Sequence, residues 1–162
     1  LTKNFKVRKI LDNKDSFPYQ IKDITIYNLN RYEYDNDNEN SLVLYFDMWG
    51  KKFLVMGDAS KEVEENIIKD VPNLKCDYLR VGHHGSNTSS SHNFISYISP
   101  KEAIISVGEN RYGHPHLEVL SILKRNNIES VETIAQKNKK QVKKKKSSIR
   151  NIMLLQRKVV IF

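Results

Sequence analysis

Four of the five histidines in this chain lie in two short loops whose other residues are of the kinds that reactive sites use. In Val81-Gly82-His83-His84-Gly85-Ser86-Asn87-Thr88-Ser89-Ser90-Ser91, two adjacent imidazoles sit between glycines and a hydroxyl-rich run follows. Glu109-Asn110-Arg111-Tyr112-Gly113-His114-Pro115-His116 supplies two more imidazoles, and Asp58 closes the apolar run Phe53-Leu54-Val55-Met56-Gly57. Imidazole is the commonest metal ligand and the usual proton shuttle near neutral pH, and glycine lets a backbone approach a ligand closely. A carboxylate with several neutral imidazoles is the donor set of a divalent cation, with Zn2+ or Mn2+ favoured over Mg2+ or Ca2+. Taken singly, each loop reads equally well as a polar turn facing solvent. His116 could be a surface residue at a helix start, and Arg111 and Tyr112 could simply pack their loop.

What turns separate loops into a site is convergence, and that depends on the elements that carry them. Ser41 to Asp47 and Lys52 to Gly57 are strand candidates separated by Met48-Trp49-Gly50-Lys51, a spacing that predicts a hairpin. Ser60 is placed to cap a helix from about Lys61 to Asp70, with Glu62 and Glu64 in its favourable first turn and Val63, Ile67 and Ile68 towards the core. Asp77 to Val81 is the next strand, Asn93 to Ile98 a short helix stopped by Pro100, and Ala103 to Val107 a buried-type strand. Pro115 suits the first turn of a further helix in which Leu117, Leu120 and Leu123 share a face, and Ile128 to Ile134 reads as a last strand. This alternation from residue 52 onward predicts parallel strands with crossover helices. Parallel strands end on one edge of a sheet, so the loops carrying Asp58, His83/His84 and His114/His116 should open onto one rim.

The remaining sequence is less informative. Ile24 to Leu29 alternates as a half-buried strand, while residues 1–20 fit helix or strand equally. Tyr34 to Asn40 is a polar loop lacking the glycine and terminal glutamate of a calcium loop. At 162 residues the length suits one domain, the single Cys76 excludes an internal disulfide, and no apolar run is long enough to span a membrane. The net charge of +8 is localised: residues 136–162 hold ten Lys/Arg and no Asp or Glu, leaving 17 cations against 19 anions in residues 1–135. We therefore divide the chain into a domain over 1–135 and a basic tail over 136–162.

The stretches Phe53–Asp58, Val81–Ser91 and Ile105–His116 together resemble the C-terminal half of a metallo-β-lactamase-fold domain, and most specifically the domain of ComEC-type DNA-internalisation competence proteins. The resemblance runs from about Ile24 to Ile128. It implies an α/β fold of the αββα sandwich type and a metal-dependent hydrolase site, commonly dinuclear. It further implies that Asp58 is the bridging carboxylate and that His83 or His84 is the later histidine ligand, the other facing substrate. Ser86, Thr88, Arg111, Tyr112 and His114 would line the substrate side with His116 beside them, and His83 or His114 would serve as proton donor or phosphate contact. The implied substrate is DNA or another phosphodiester, and the implied setting a cytoplasmic or soluble domain beside a membrane channel, with no signal peptide in this sequence.

Two departures qualify the resemblance. The H-x-(H/D)-x-D-H metal motif of the family lies upstream and is absent here, since no histidine precedes His83. Asp58 with one or two histidines under-coordinates a metal, so the chain is expected to be a truncated copy, inactive unless other ligands are supplied. From Glu132 the sequence turns into the lysine tract in place of the family's Thr-Asp turn and final strand pair. The alternative function is a nucleic-acid-binding module without catalysis that uses this tail, although no aromatics are interleaved for base stacking. A solvated tail is the plainer reading. A third reading is a non-functional fragment with Ile152–Leu155 and Val159–Phe162 exposed.

Overall fold

A computed structural model describes residues 9–12, 15–133 and 159–161 of the chain. In chain order the strands and helices are β1 (Lys9–Leu11), β2 (Tyr19–Ile21), β3 (Ile24–Asn28), β4 (Leu44–Met48), β5 (Lys51–Val55), α1 (Lys61–Asp70), β6 (Tyr78–Arg80), α2 (His92–Ile98), β7 (Glu102–Ile105), α3 (Leu117–Arg125), β8 (Glu129–Glu132) and β9 (Val159–Ile161). Strands β2 to β8 form one seven-stranded sheet in sequence order. Its first half is an antiparallel meander, and β5 to β8 are parallel to one another. The predicted β-α alternation is therefore present in full. The architecture is α/β and is compatible with a partial αββα sandwich.

Alternation along the strands builds two cores. Leu54 faces the helices, whereas its neighbours Phe53 and Val55 face the other side, as the two-residue period of a strand requires. On the helical face, Val63 and Ile67 of α1, Phe94, Ile95 and Ile98 of α2, and Val119, Ile122 and Leu123 of α3 pack over Leu54, Leu79, Ala103 and Ile105. The opposite face carries Ile26, Leu44, Phe46, Phe53, Val55 and Ile104, with Leu11 of β1 fully buried against it. Phe46, Phe53 and Tyr78 stack across three strands there, with ring centroids 5.3 and 5.0 Å apart. β1 itself pairs with β9 in a separate two-stranded sheet. No helix among the described residues is long and apolar enough to cross a membrane.

Several local expectations shift. The hairpin forms more tightly than predicted, turning on Trp49 and Gly50 at φ 56° and 67°, the twist that a two-residue connection prefers. Ser60 occupies the cap position of α1 but makes no side-chain cap bond, and the first amide of the helix, that of Lys61, donates to the carbonyl of Thr88 at 2.9 Å. Pro115 lies one residue before the α3 cap, His116, and not in the first turn. Leu117 is 82% exposed and Leu120 only half-buried, so the core stripe of α3 is Val119, Ile122 and Leu123. The last strand stops at Glu132. The tail lies outside the described residues except for the backbone of β9.

Candidate functional site

All three loops open at the C-terminal edge of the parallel strands. Asp58 follows β5, His83 and His84 follow β6, and His114 and His116 follow β7. The amide of His83 donates to the carbonyl of Gly57 at 2.9 Å, and that of His116 donates to the carbonyl of Gly85 at 2.9 Å, so neighbouring loops are bonded directly. Gly82 to Gly85 form a short 3-10 turn in which His83 and His84 adopt φ of 44° and 55°. That left-handed backbone is uncommon for residues with a side chain, and here it displays two consecutive imidazoles at one rim.

His84 is oriented by the backbone. Its Nδ1 lies 2.5 Å from the carbonyl oxygen of Ser106, which can only accept, so Nδ1 is the donor of this contact. Nε2 in turn lies 3.8 Å from Oδ1 of Asp58, a buried oxygen without a hydrogen-bond partner. This separation is too long for a hydrogen bond but within reach of two donors that each hold one cation at roughly 2.0–2.2 Å. A carbonyl that fixes the far nitrogen of an imidazole is the usual outer support of a histidine ligand. Asp58 and His84 thus fit two positions of a divalent metal site. Among the described residues no group of three or more His, Cys, Asp or Glu side chains has a metal-holding arrangement, so the site as described is partial.

Three of the other histidines, His83, His114 and His116, extend from this pair in a row. Ring centroids lie 6.5 Å apart for His84 and His83, 5.8 Å for His83 and His114, and 5.3 Å for His114 and His116. His83 Nδ1 meets the Thr88 hydroxyl at 3.2 Å, and that hydroxyl is 3.0 Å from Ser86 Oγ. Ser86 itself is buried and also accepts the Thr88 amide, so its hydroxyl serves the loop. Tyr112 stacks on His114 yet is 79% exposed, and Arg111 is exposed beside it. Burial, followed by the neighbouring His116, His83 and His84, holds the His114 imidazole below its ordinary pKa. A neutral His114 is thereby favoured at pH 7.

Four supporting residues escaped the sequence reading. Asn110 spends its whole side chain on its own loop, accepting from the amides of Tyr112 and His114 and donating to the carbonyls of Gly108 and His114. Its position two residues before an exposed aromatic is an Asx-turn signal that could have been read. Ser106 acts through its carbonyl, which no side-chain pattern reveals. Arg80 is buried on the sheet face away from the helices, with Nε and Nη1 lacking hydrogen-bond partners. Burial lowers its guanidinium pKa, and the nearby charge of Asp58 opposes this. Glu64, read only as a favourable charge in the first turn of its helix, is fully buried.

Comparison with known proteins gives three relatives. The chain is 43% identical over 117 residues to ComE operon protein 3 of Bacillus subtilis (strain 168), a match covering 70% of this chain and 15% of that protein. It is 39% identical over 100 residues to competence protein ComA of Neisseria gonorrhoeae, covering 60% and 14% respectively. It is 39% identical over 90 residues to recombination protein 2 of Haemophilus influenzae, covering 55% and 11%. The chain therefore spans about a seventh or less of the length of each of these proteins. No family model matches it. These relatives support the likeness to ComEC-type competence proteins drawn from the motifs.

Proposed function

We propose that this chain is part of a metallo-β-lactamase-type hydrolase domain of a competence protein, acting on phosphodiesters, DNA foremost, during DNA uptake. The observation that carries the reading is the Asp58 Oδ1 and His84 Nε2 pair, 3.8 Å apart at the C-terminal edge of the sheet, with His83 and His114 alongside. Asp58 and His84 would hold a divalent cation, Zn2+ or Mn2+. When bound, such a cation supplies Lewis acidity toward phosphoryl oxygens and lowers the pKa of water. The residues of the chain do the rest. Ser106 and Thr88 orient the two adjacent imidazoles. His83 and a neutral His114 offer ring N–H and lone-pair positions to phosphate oxygens or to a leaving proton, and Arg111 adds an exposed cation at the rim. Tyr112 and His116 flank that path. A membrane channel of a longer parent protein would be the neighbour of such a domain. Two protein ligands fall short of the three that catalytic zinc usually has, so full activity requires ligands supplied by another segment or polypeptide.

Calorimetric titration of the purified chain with Zn2+ or Mn2+ tests the reading. Weak binding is expected, falling by at least about tenfold in Asp58→Ala and in His84→Ala. Absence of binding, or binding that neither substitution alters, overturns the site as drawn.

A further inference from the structure

We propose that Glu64 is a positioning residue, a buried carboxylate on α1 that braces the His83–His84 loop from behind and ties it to the Asp58 side of the site. Glu64 is fully buried, and its two carboxylate oxygens each accept a backbone amide, from Ser90 at 2.5 Å and from Ser91 at 2.9 Å. Those donors are 26 and 27 residues away and belong to the hydroxyl-rich run that follows the histidines. Burying a carboxylate is costly unless it is hydrogen-bonded, and an apolar residue would fill the space more simply. What the carboxylate adds is two directed acceptors. They hold Ser90 in a left-handed backbone, φ 60°, and set Ser91, whose side chain then accepts the Phe94 amide and caps α2.

From that anchor the bonds lead to the imidazoles. Ser89, next to the clamped residues, is itself buried, and its hydroxyl reaches the carbonyl of Gly82 at 2.9 Å and that of Ser86 at 3.1 Å, across the turn that carries His83 and His84. Thr88 meets His83 Nδ1 with its side chain and takes the Lys61 amide, one turn before Glu64 on the same helix, with its carbonyl. Helix α1 is in turn the element that follows Asp58. One helix therefore grips the loop at Thr88, Ser90 and Ser91 while being joined by a short connection to the candidate metal carboxylate. Burial raises the pKa of Glu64, and the Ser91 and Ser90 bonds act against that rise, as expected for a carboxylate whose oxygens are both engaged.

The test compares the isotopically labelled full chain with Glu64→Ala and Glu64→Gln by NMR and calorimetry. In Glu64→Ala, amide exchange at Ser90 and Ser91 should accelerate by at least about tenfold, the loss of one net hydrogen bond. The ring resonances of His83 and His84 should move while the indole resonance of Trp49, in the turn that starts β5 at the end opposite Asp58, stays put. Glu64→Gln retains one acceptor and should shift the same signals less, the partial rescue that a directed contact predicts. Zn2+ affinity should fall in the same order, about tenfold for the alanine variant, the scale of an outer-shell loss. Unmoved His83 and His84 resonances in a folded Glu64→Ala overturn the proposal, and Glu64→Gln decides if the alanine variant does not fold. Unfolding of both variants also overturns it, by making Glu64 a residue of general stability. Only the zinc arm rests on the metal-site reading above, so a wild-type chain that fails to bind Zn2+ sinks that reading and leaves the exchange and ring arms to judge Glu64.

Discussion

A methyl group placed on Gly85 would lie 2.7 Å from Cβ of Pro115, at a backbone φ of 79° that side chains rarely adopt. Gly85 is therefore where the two histidine loops touch, and its carbonyl receives the His116 amide. Left-handed strain costs about 1–2 kcal/mol and overpacking about 1–3 kcal/mol, so Gly85→Ala should destabilise the chain by roughly 2–5 kcal/mol in urea unfolding. Gly108→Ala is the control, since its added methyl meets nothing within 4 Å and its φ is unstrained; that variant should stay near wild type. Equal losses in the two would mean that loop contact is not what Gly85 provides. At this scale the sequence was half legible. His83, His84, His114 and Asp58 could be picked by type and by their places after strands. The Ser106 carbonyl and the Pro115 contact could not, because backbone atoms and close approaches leave no residue signature.

Elements were more legible than their edges. The parallel run β5 to β8 follows from alternating apolar strands and helices, and the common rim followed from it by geometry alone. What failed were assignments that depended on which face meets the sheet. Leu117 shares a helical spacing with Leu120 and Leu123, but it begins α3 outside the packed layer, where Val119 and Ile122 take the core instead. Glu64 fitted the favourable charge of a helix start and was assigned no further role, because tertiary burial by the Ser90–Ser91 turn is invisible to local rules. Asp77 shows how the opposite edge of these strands is held. Its carboxylate accepts the Lys52 amide at 2.9 Å and pairs with Lys101 at 2.6 Å, so β5, β6 and β7 are tied at their starts. The Lys101 contact, then the Lys52 amide, hold its pKa below the ordinary carboxylate value. A depressed folded pKa gives stability that is present above the unfolded value, about 3.9, and is lost as pH falls through the folded value. Asp77→Asn keeps an acceptor for the Lys52 amide but loses the charge that faces Lys101, so it should be less stable by about 1 kcal/mol or less at pH 7, and this deficit should shrink progressively below about pH 4. A deficit that stays constant from pH 7 to pH 2 would remove the charge from the explanation.

At the scale of the molecule, the two charge regimes have different consequences. The sheet and its histidine rim lie within residues 1–135, where anions slightly outnumber cations, and the ten cations without anions lie beyond. Cutting the tail away would seem the direct test of a nucleic-acid-binding role, but β9 pairs with β1, and β1 lays Leu11 on the sheet face away from the helices. Truncation would remove a strand together with the charge. Replacing Lys143, Lys144, Lys145 and Lys146 by glutamine removes the charge alone. Each lysine that contacts a duplex phosphate contributes about 0.9 to the slope of log affinity against log salt. A tail that binds DNA through these four should therefore lose roughly 3–4 of that slope, measured by anisotropy on duplex DNA between 50 and 200 mM salt, as an expectation of counterion release. Zn2+ binding at Asp58 and His84 should be unchanged by the same substitutions, because none of the four lysines is one of its donors. An unaltered slope would assign the lysines to solvent, and DNA affinity surviving in the substituted chain would then be sought at Arg111 and the histidine row.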